Sequence, residues 1–171
     1  MSAAQRRVAD EAVAGKRGRV PAPLRAWIHS PEMAARAQRL GEFLRYETVL
    51  GPRLSELAIL VTARYWTAHY EWEVHKREAL KAGLESAIIA AIAGRRAPPI
   101  TDGKTQVVYD YAEALHRERN IPDSLHARAI GELGEQGVVE LVGLLGYYTL
   151  VSMTLNAFAI GEPSGAVDLE P

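Results

Sequence analysis

The stretch Arg53-Leu-Ser-Glu-Leu-Ala-Ile-Leu-Val-Thr-Ala-Arg-Tyr-Trp-Thr-Ala-His-Tyr-Glu-Trp-Glu-Val-His75 decides how this chain reads. Leu54, Leu57, Ala58 and Val61 fall at three- and four-residue intervals, Ala68 continues them, and Leu80 and Ala82 lead to a stop at Gly83. That period predicts a helix running from after Pro52 to Gly83. Its middle is dense in reactive side chains: Tyr65 to His75 holds two histidines, two glutamates, two tryptophans and two tyrosines in eleven residues. At about 100° per residue, Glu71 and His75 share one face with Ala68, whereas His69 and Glu73 pair on nearly the opposite face. Only one of these pairs can address a single core-side pocket.

Glu71 and His75 suit a carboxylate–imidazole dyad. The carboxylate would fix the tautomer and favour the imidazolium, while the other ring nitrogen exchanges a proton with substrate. The same spacing serves ordinary helical pairs, and Trp66, Tyr70 and Trp72 read either as walls of an apolar pocket or as core. Glu56 lies 15 residues before Glu71, about 22 Å along an unbroken helix, so joint action needs a break or a contact across another helix or subunit. A metal centre from His69, Glu71, Glu73 and His75 is disfavoured, because residues two apart on a helix diverge and leave an ion at most two ligands here. His29, His116 and His126 stand alone elsewhere. No metal or other cofactor is expected.

Outward from this stretch, proline and glycine cut the chain into further helical segments, and β-branched alternation is scarce. The reading is all-α, with about six to eight helices. Segments are expected over about 3–14, from a Ser30-Pro31 start to near Gly51, over 85–93, 102–119 and 122–133 with a stop at Gly134, and over 138–160. The domain reading is an N-terminal helix and Pro/Gly-rich arm over 1–23, one helical domain over 24–161, and a loose tail over 162–171. Leu141 to Ile160 carries no charge and is long enough to cross a bilayer. Thr149, Ser152, Thr154, Asn156, the adjacent Glu140 and the lack of basic flanks favour a buried or subunit-interface helix instead.

Composition narrows the chemistry. The chain has 171 residues, 48% of them apolar, 20 basic against 21 acidic side chains, and no cysteine. One core is affordable at this size. Disulfides, a cysteine nucleophile, a thiol peroxidase cycle and thiolate-ligated metals are excluded. Near-zero net charge argues against nucleic acid as a partner. The first residues resemble neither a signal peptide nor a transit peptide, so a cytoplasmic location without membrane association is expected. Glycine-rich phosphate loops and a serine nucleophile elbow are absent.

The run Arg53-Leu-Ser-Glu56-Leu-Ala-Ile-Leu, the histidine-rich stretch ending in His75 and Ala79-Leu-Lys-Ala-Gly-Leu84 resemble the carboxymuconolactone decarboxylase and AhpD-like alkylhydroperoxidase family. The closing Gly143-Leu-Leu-Gly-Tyr-Tyr-Thr-Leu-Val-Ser-Met-Thr-Leu-Asn-Ala-Phe158 is similar to that family's last helix. The peroxidase branch carries a glutamate and a Cys-x-x-Cys-x-x-x-His motif. Aligning on Glu56 and His75 puts Ala68 and Glu71 at the cysteine positions, so the chain looks like a cysteine-less subgroup. The decarboxylase branch, which works by proton transfer on a small unsaturated acid, fits better.

The resemblance implies an AhpD-like helical bundle, a homo-trimer or homo-hexamer with sites near subunit contacts, and a role in aromatic compound catabolism. It implies a cofactor-independent lyase-type acid–base enzyme on a small carboxylated or lactone-like substrate. His75 would be the general acid/base, Glu71 its orienting partner and Glu56 a proton relay. Arg53 or Arg45 would hold a substrate carboxylate, and Trp66, Tyr70 and Trp72 would shape the pocket. The alternatives are a non-catalytic ligand-binding or scaffold oligomer and, less well supported, a metal-dependent oxidase.

Overall fold

The computed structural model describes residues 1–161 and Leu169. Among these residues there are helices and turns and no strand, in agreement with the all-α reading. The helices are α1 (Ala3–Ala14), α2 (Leu24–Trp27), α3 (Pro31–Tyr46), α4 (Gly51–Tyr65), α5 (His69–Lys81), α6 (Ser86–Ala93), α7 (Gly103–Arg117) and α8 (Asp123–Ala157). α1 starts on a reciprocal cap, in which Ser2 Oγ accepts from the Gln5 amide and the Gln5 side chain accepts from the Ser2 amide. Asp102 caps α7 by accepting from the Thr105 amide at 2.9 Å. Ser30 precedes α3 but its side chain makes no capping bond, so the fixed φ of Pro31 carries that start. The expected tail over 162–171 lies outside the described residues except for Leu169, which is 2% exposed and belongs to the core.

α4 is the axis of the fold. Every residue from Ser55 to Arg64 is buried, as expected of a helix surrounded by others, and α5, α7 and α8 pack around it. The single helix expected from Pro52 to Gly83 is in fact two. The chain leaves α4 at Trp66, takes a left-handed conformation at Thr67 (φ 46°), passes through Ala68 (φ −85°, ψ 86°) and restarts at His69. A β-branched residue in that region costs roughly 1–2 kcal/mol. Thr67 Oγ1 offsets this by accepting from Arg64 Nη1 at 3.2 Å and Arg95 Nη2 at 3.5 Å. The reversal lays α5 back along α4, which sets the geometry of the site.

α8 bends at Gly134, whose φ of 71° and ψ of 167° lie where only glycine sits comfortably. The expected stop is therefore present: two helical segments meet across a kink at Gly134 and run on as α8. Beyond it, Leu141, Leu144, Leu145, Tyr148, Val151 and Leu155 are buried against the rest of the molecule. By length and composition α8 could cross a membrane, yet 61% of its apolar window is buried within the fold. Thr154 Oγ1 accepts from the Trp27 indole N–H at 2.8 Å, tying α8 to α2. This is a core helix with an exposed edge, where Val139, Val142 and Met153 are 71%, 43% and 50% exposed.

Candidate active site

Glu56 comes from the buried middle of α4, and Glu71 and His75 from the first two turns of α5. The reversal at Thr67 brings all three together. His75 Nδ1 lies 2.6 Å from Glu56 Oε2, and His75 Nε2 lies 2.9 Å from Glu71 Oε1. The three residues are 6%, 6% and 1% exposed, in the order Glu56, Glu71, His75. A ring flanked by two carboxylates satisfies both only as an imidazolium, donating at each nitrogen. The expected dyad, with one nitrogen left for substrate, is corrected to a triad: Glu56 occupies the nitrogen that was to face the substrate.

Electrostatics favour the same protonation state. Burial pushes the imidazole towards neutrality, but the charges of Glu56 and Glu71 and their hydrogen bonds to the ring outweigh it, and the His75 pKa rises from 6.5 to about 9. The edge of the His75 ring meets Tyr148 at 5.0 Å and 86°. Burial, reinforced by the Glu71 charge, lifts the Tyr148 phenol well above its usual range. Tyr147 packs edge-on against Tyr148 at 5.4 Å and against Trp27 at 6.2 Å. A side chain at Gly41 would collide with the Tyr147 hydroxyl and with Arg17 Nη2, so glycine is what lets Tyr147 and the N-terminal arm close over α3 at this point.

Two cavities adjoin the triad. One, of about 440 Å³, is lined by Glu56 together with Arg45, Tyr46, Glu78 and Lys81. The other, of about 30 Å³, lies over Glu71 and His75 beneath Arg17, Tyr147 and Tyr148. Arg45 lines both, and the triad runs between them. A proton arriving at Glu56 from the larger cavity has a continuous hydrogen-bonded route to Glu71.

The remaining sequence candidates divide. Arg45 and Tyr70 stand at the small cavity. Arg53 does not: its guanidinium is taken up by Glu85 at 2.7 Å, Thr105 Oγ1 at 2.5 Å and the Gly83 carbonyl at 3.4 Å, where it ties together the starts of α4, α6 and α7. Trp66 and Trp72 line neither cavity, and the indole N–H of each is buried without a hydrogen-bond partner among the described residues. Trp72 instead backs a hollow on the other side of α5, beside Lys76 and Ile89. His69 and Glu73, on the outward face of α5, take no part. Tyr147, Tyr148 and Arg17 were not anticipated. The signal for the tyrosines was present, since they are adjacent ionisable side chains in an otherwise uncharged run.

Residues 31–114, just under half of the chain, match the profile of the carboxymuconolactone decarboxylase family. The match covers α3 to α6, most of α7 and the whole triad, and stops before the closing stretch that had looked like the family's last helix. No curated protein matches the chain. Among solved structures, a protein of unknown function from Agrobacterium tumefaciens, assigned without an established activity to AhpD-type antioxidant defence, superposes with a TM-score of 0.71 at 15% identity over 82% of this chain and 97% of its own. At that identity the likeness extends to the fold.

Proposed function

We propose, from the match of residues 31–114 to the carboxymuconolactone decarboxylase family, that the chain is a cofactor-independent acid–base enzyme acting on a small carboxylated or lactone-like molecule by decarboxylation, isomerisation or hydrolysis. The observation that carries this is the buried Glu56–His75–Glu71 chain, which begins at a cavity of about 440 Å³. In this reading Glu56, rather than His75, meets the substrate and moves its proton. His75 holds a proton behind it, and Glu71 keeps the imidazolium charged and oriented. Arg45, at the same cavity, attracts the anionic substrate. Thiol-based peroxide reduction has no residue to act through, since the 171 residues include no cysteine. The same proposal includes a homo-oligomer, supported by the exposed apolar edge of Val139, Val142 and Met153 on α8.

The test is turnover of a panel of small lactones and unsaturated acids by the wild type, Glu56→Gln and Glu71→Gln. Loss of at least 100-fold in kcat for Glu56→Gln is expected, the usual contribution of a general acid or base being 10²–10⁴. Unimpaired turnover in that variant contradicts the proposal. One observation favours a second reading, a non-catalytic ligand-binding scaffold: His75 is 1% exposed with both ring nitrogens engaged. Saturable binding of panel members with no turnover by the wild type would establish it.

A further inference from the structure

The N-terminal arm between α1 and α2 lies outside the family match, yet it reaches the triad. Arg17, on this arm, has its Nε and Nη2 atoms buried without a hydrogen-bond partner among the described residues. Arg17 is part-exposed, but a guanidinium carries five N–H donors and never loses its charge, so two buried donors that no acceptor meets squarely leave it under-satisfied. The local charge is also unbalanced. Among the described residues, Arg17, Arg19, Arg45 and the imidazolium of His75 line the smaller cavity with one carboxylate, Glu71. These groups meet at the cavity of about 30 Å³, two to three times the roughly 10–15 Å³ that one water needs. Tyr147, at its wall, adds a hydroxyl: burial raises its phenol pKa, and the charge of Arg17 and a hydrogen bond to it offset part of that rise.

We propose that Arg17, Arg45 and Tyr147 form a subsite for a single carboxylate, which supplies negative charge to this basic lining and pairs with the Arg17 fork. Two parallel N–H donors, Nε and Nη2, match the two oxygens of a carboxylate. The occupant is either the carboxylate of the substrate itself or a free small carboxylate. That the subsite serves the enzyme's substrate rests on the function proposed above; that it binds a carboxylate does not.

The experiment uses the full chain labelled with ¹⁵N and titrated with sodium acetate at constant ionic strength, following the Arg17 Nε–Hε resonance and the melting temperature. Saturable movement of that resonance with a parallel rise in melting temperature is expected. Arg17→Met should bind acetate at least tenfold more weakly, and acetate should raise its melting temperature correspondingly less than that of the wild type. Arg17→Lys, which keeps the charge but not the fork, should fall between them, and Arg25→Met, exposed on α2, should match the wild type. No saturable shift, or undiminished acetate binding by Arg17→Met, overturns the proposal. Chloride binding as tightly as acetate overturns the carboxylate geometry. Repeating the titration with each panel acid separates the two sources: displacement of acetate by a turned-over acid assigns the subsite to substrate, and acetate binding by a protein that turns nothing over refutes the enzyme alone.

Discussion

At the scale of single residues, one proton on His75 sets the charge of the whole triad. His75 is fully buried between Glu56 and Glu71, and its pKa of about 9 in the folded protein stands above the ordinary 6.5. Folding therefore favours the protonated ring. The stabilisation is complete below about pH 6.5, where the unfolded chain is protonated too, and it is lost as pH rises through about 9. The difference of some 2.5 units corresponds to about 3 kcal/mol at most. Urea unfolding of the wild type and His75→Gln from pH 6 to 9.5 is expected to show the wild-type advantage shrinking towards the alkaline end. A gap that is constant across this range would contradict a charged His75. Removing the imidazolium also leaves two carboxylates facing one another in a buried site, so Glu56→Gln and Glu71→Gln are the milder probes of function.

At the scale of elements, the sequence disclosed the helices whose ends carry glycine or proline: the Pro31 start, the Gly51-Pro52 start and the break at Gly134 all fall where that punctuation predicts. It hid the division between α4 and α5. Residues 66–68 are Trp, Thr and Ala, none of them a breaker, and the apolar pattern resumes in α5 at a phase that one continuous helix would also give. The pairing of Glu71 with His75 was legible because it depends only on spacing within α5. The contact from Glu56 to His75 was not, because a three-residue reversal creates it. Arg53 misled for a similar reason, as its partners Glu85 and Thr105 come from other helices. At Gly134 the prediction is energetic: a Cβ there meets nothing within 4 Å, so Gly134→Ala should cost about 1–3 kcal/mol through backbone strain alone. Denaturant unfolding measures it, and a neutral substitution would show that the bend does not need its positive φ.

At the scale of the molecule, α4 works as a buried spindle that presents Glu56 to a cavity while α5, α8 and the N-terminal arm exclude water from the rest of the triad. The apolar edge of α8 remains outside this packing, and light scattering on the purified protein should report a trimer or hexamer that Val139→Lys combined with Met153→Lys reduces to a monomer. A monomeric wild type would contradict the proposed assembly. All of this architecture serves one arrangement, an imidazolium held between two carboxylates, and that arrangement can be observed directly. Long-range ¹H–¹⁵N correlation spectra of His75, recorded from pH 6 to 10, are expected to show both ring nitrogens protonated at pH 7 and a titration midpoint near 9. A neutral ring at pH 7, with a midpoint at or below the ordinary 6.5, would contradict the account.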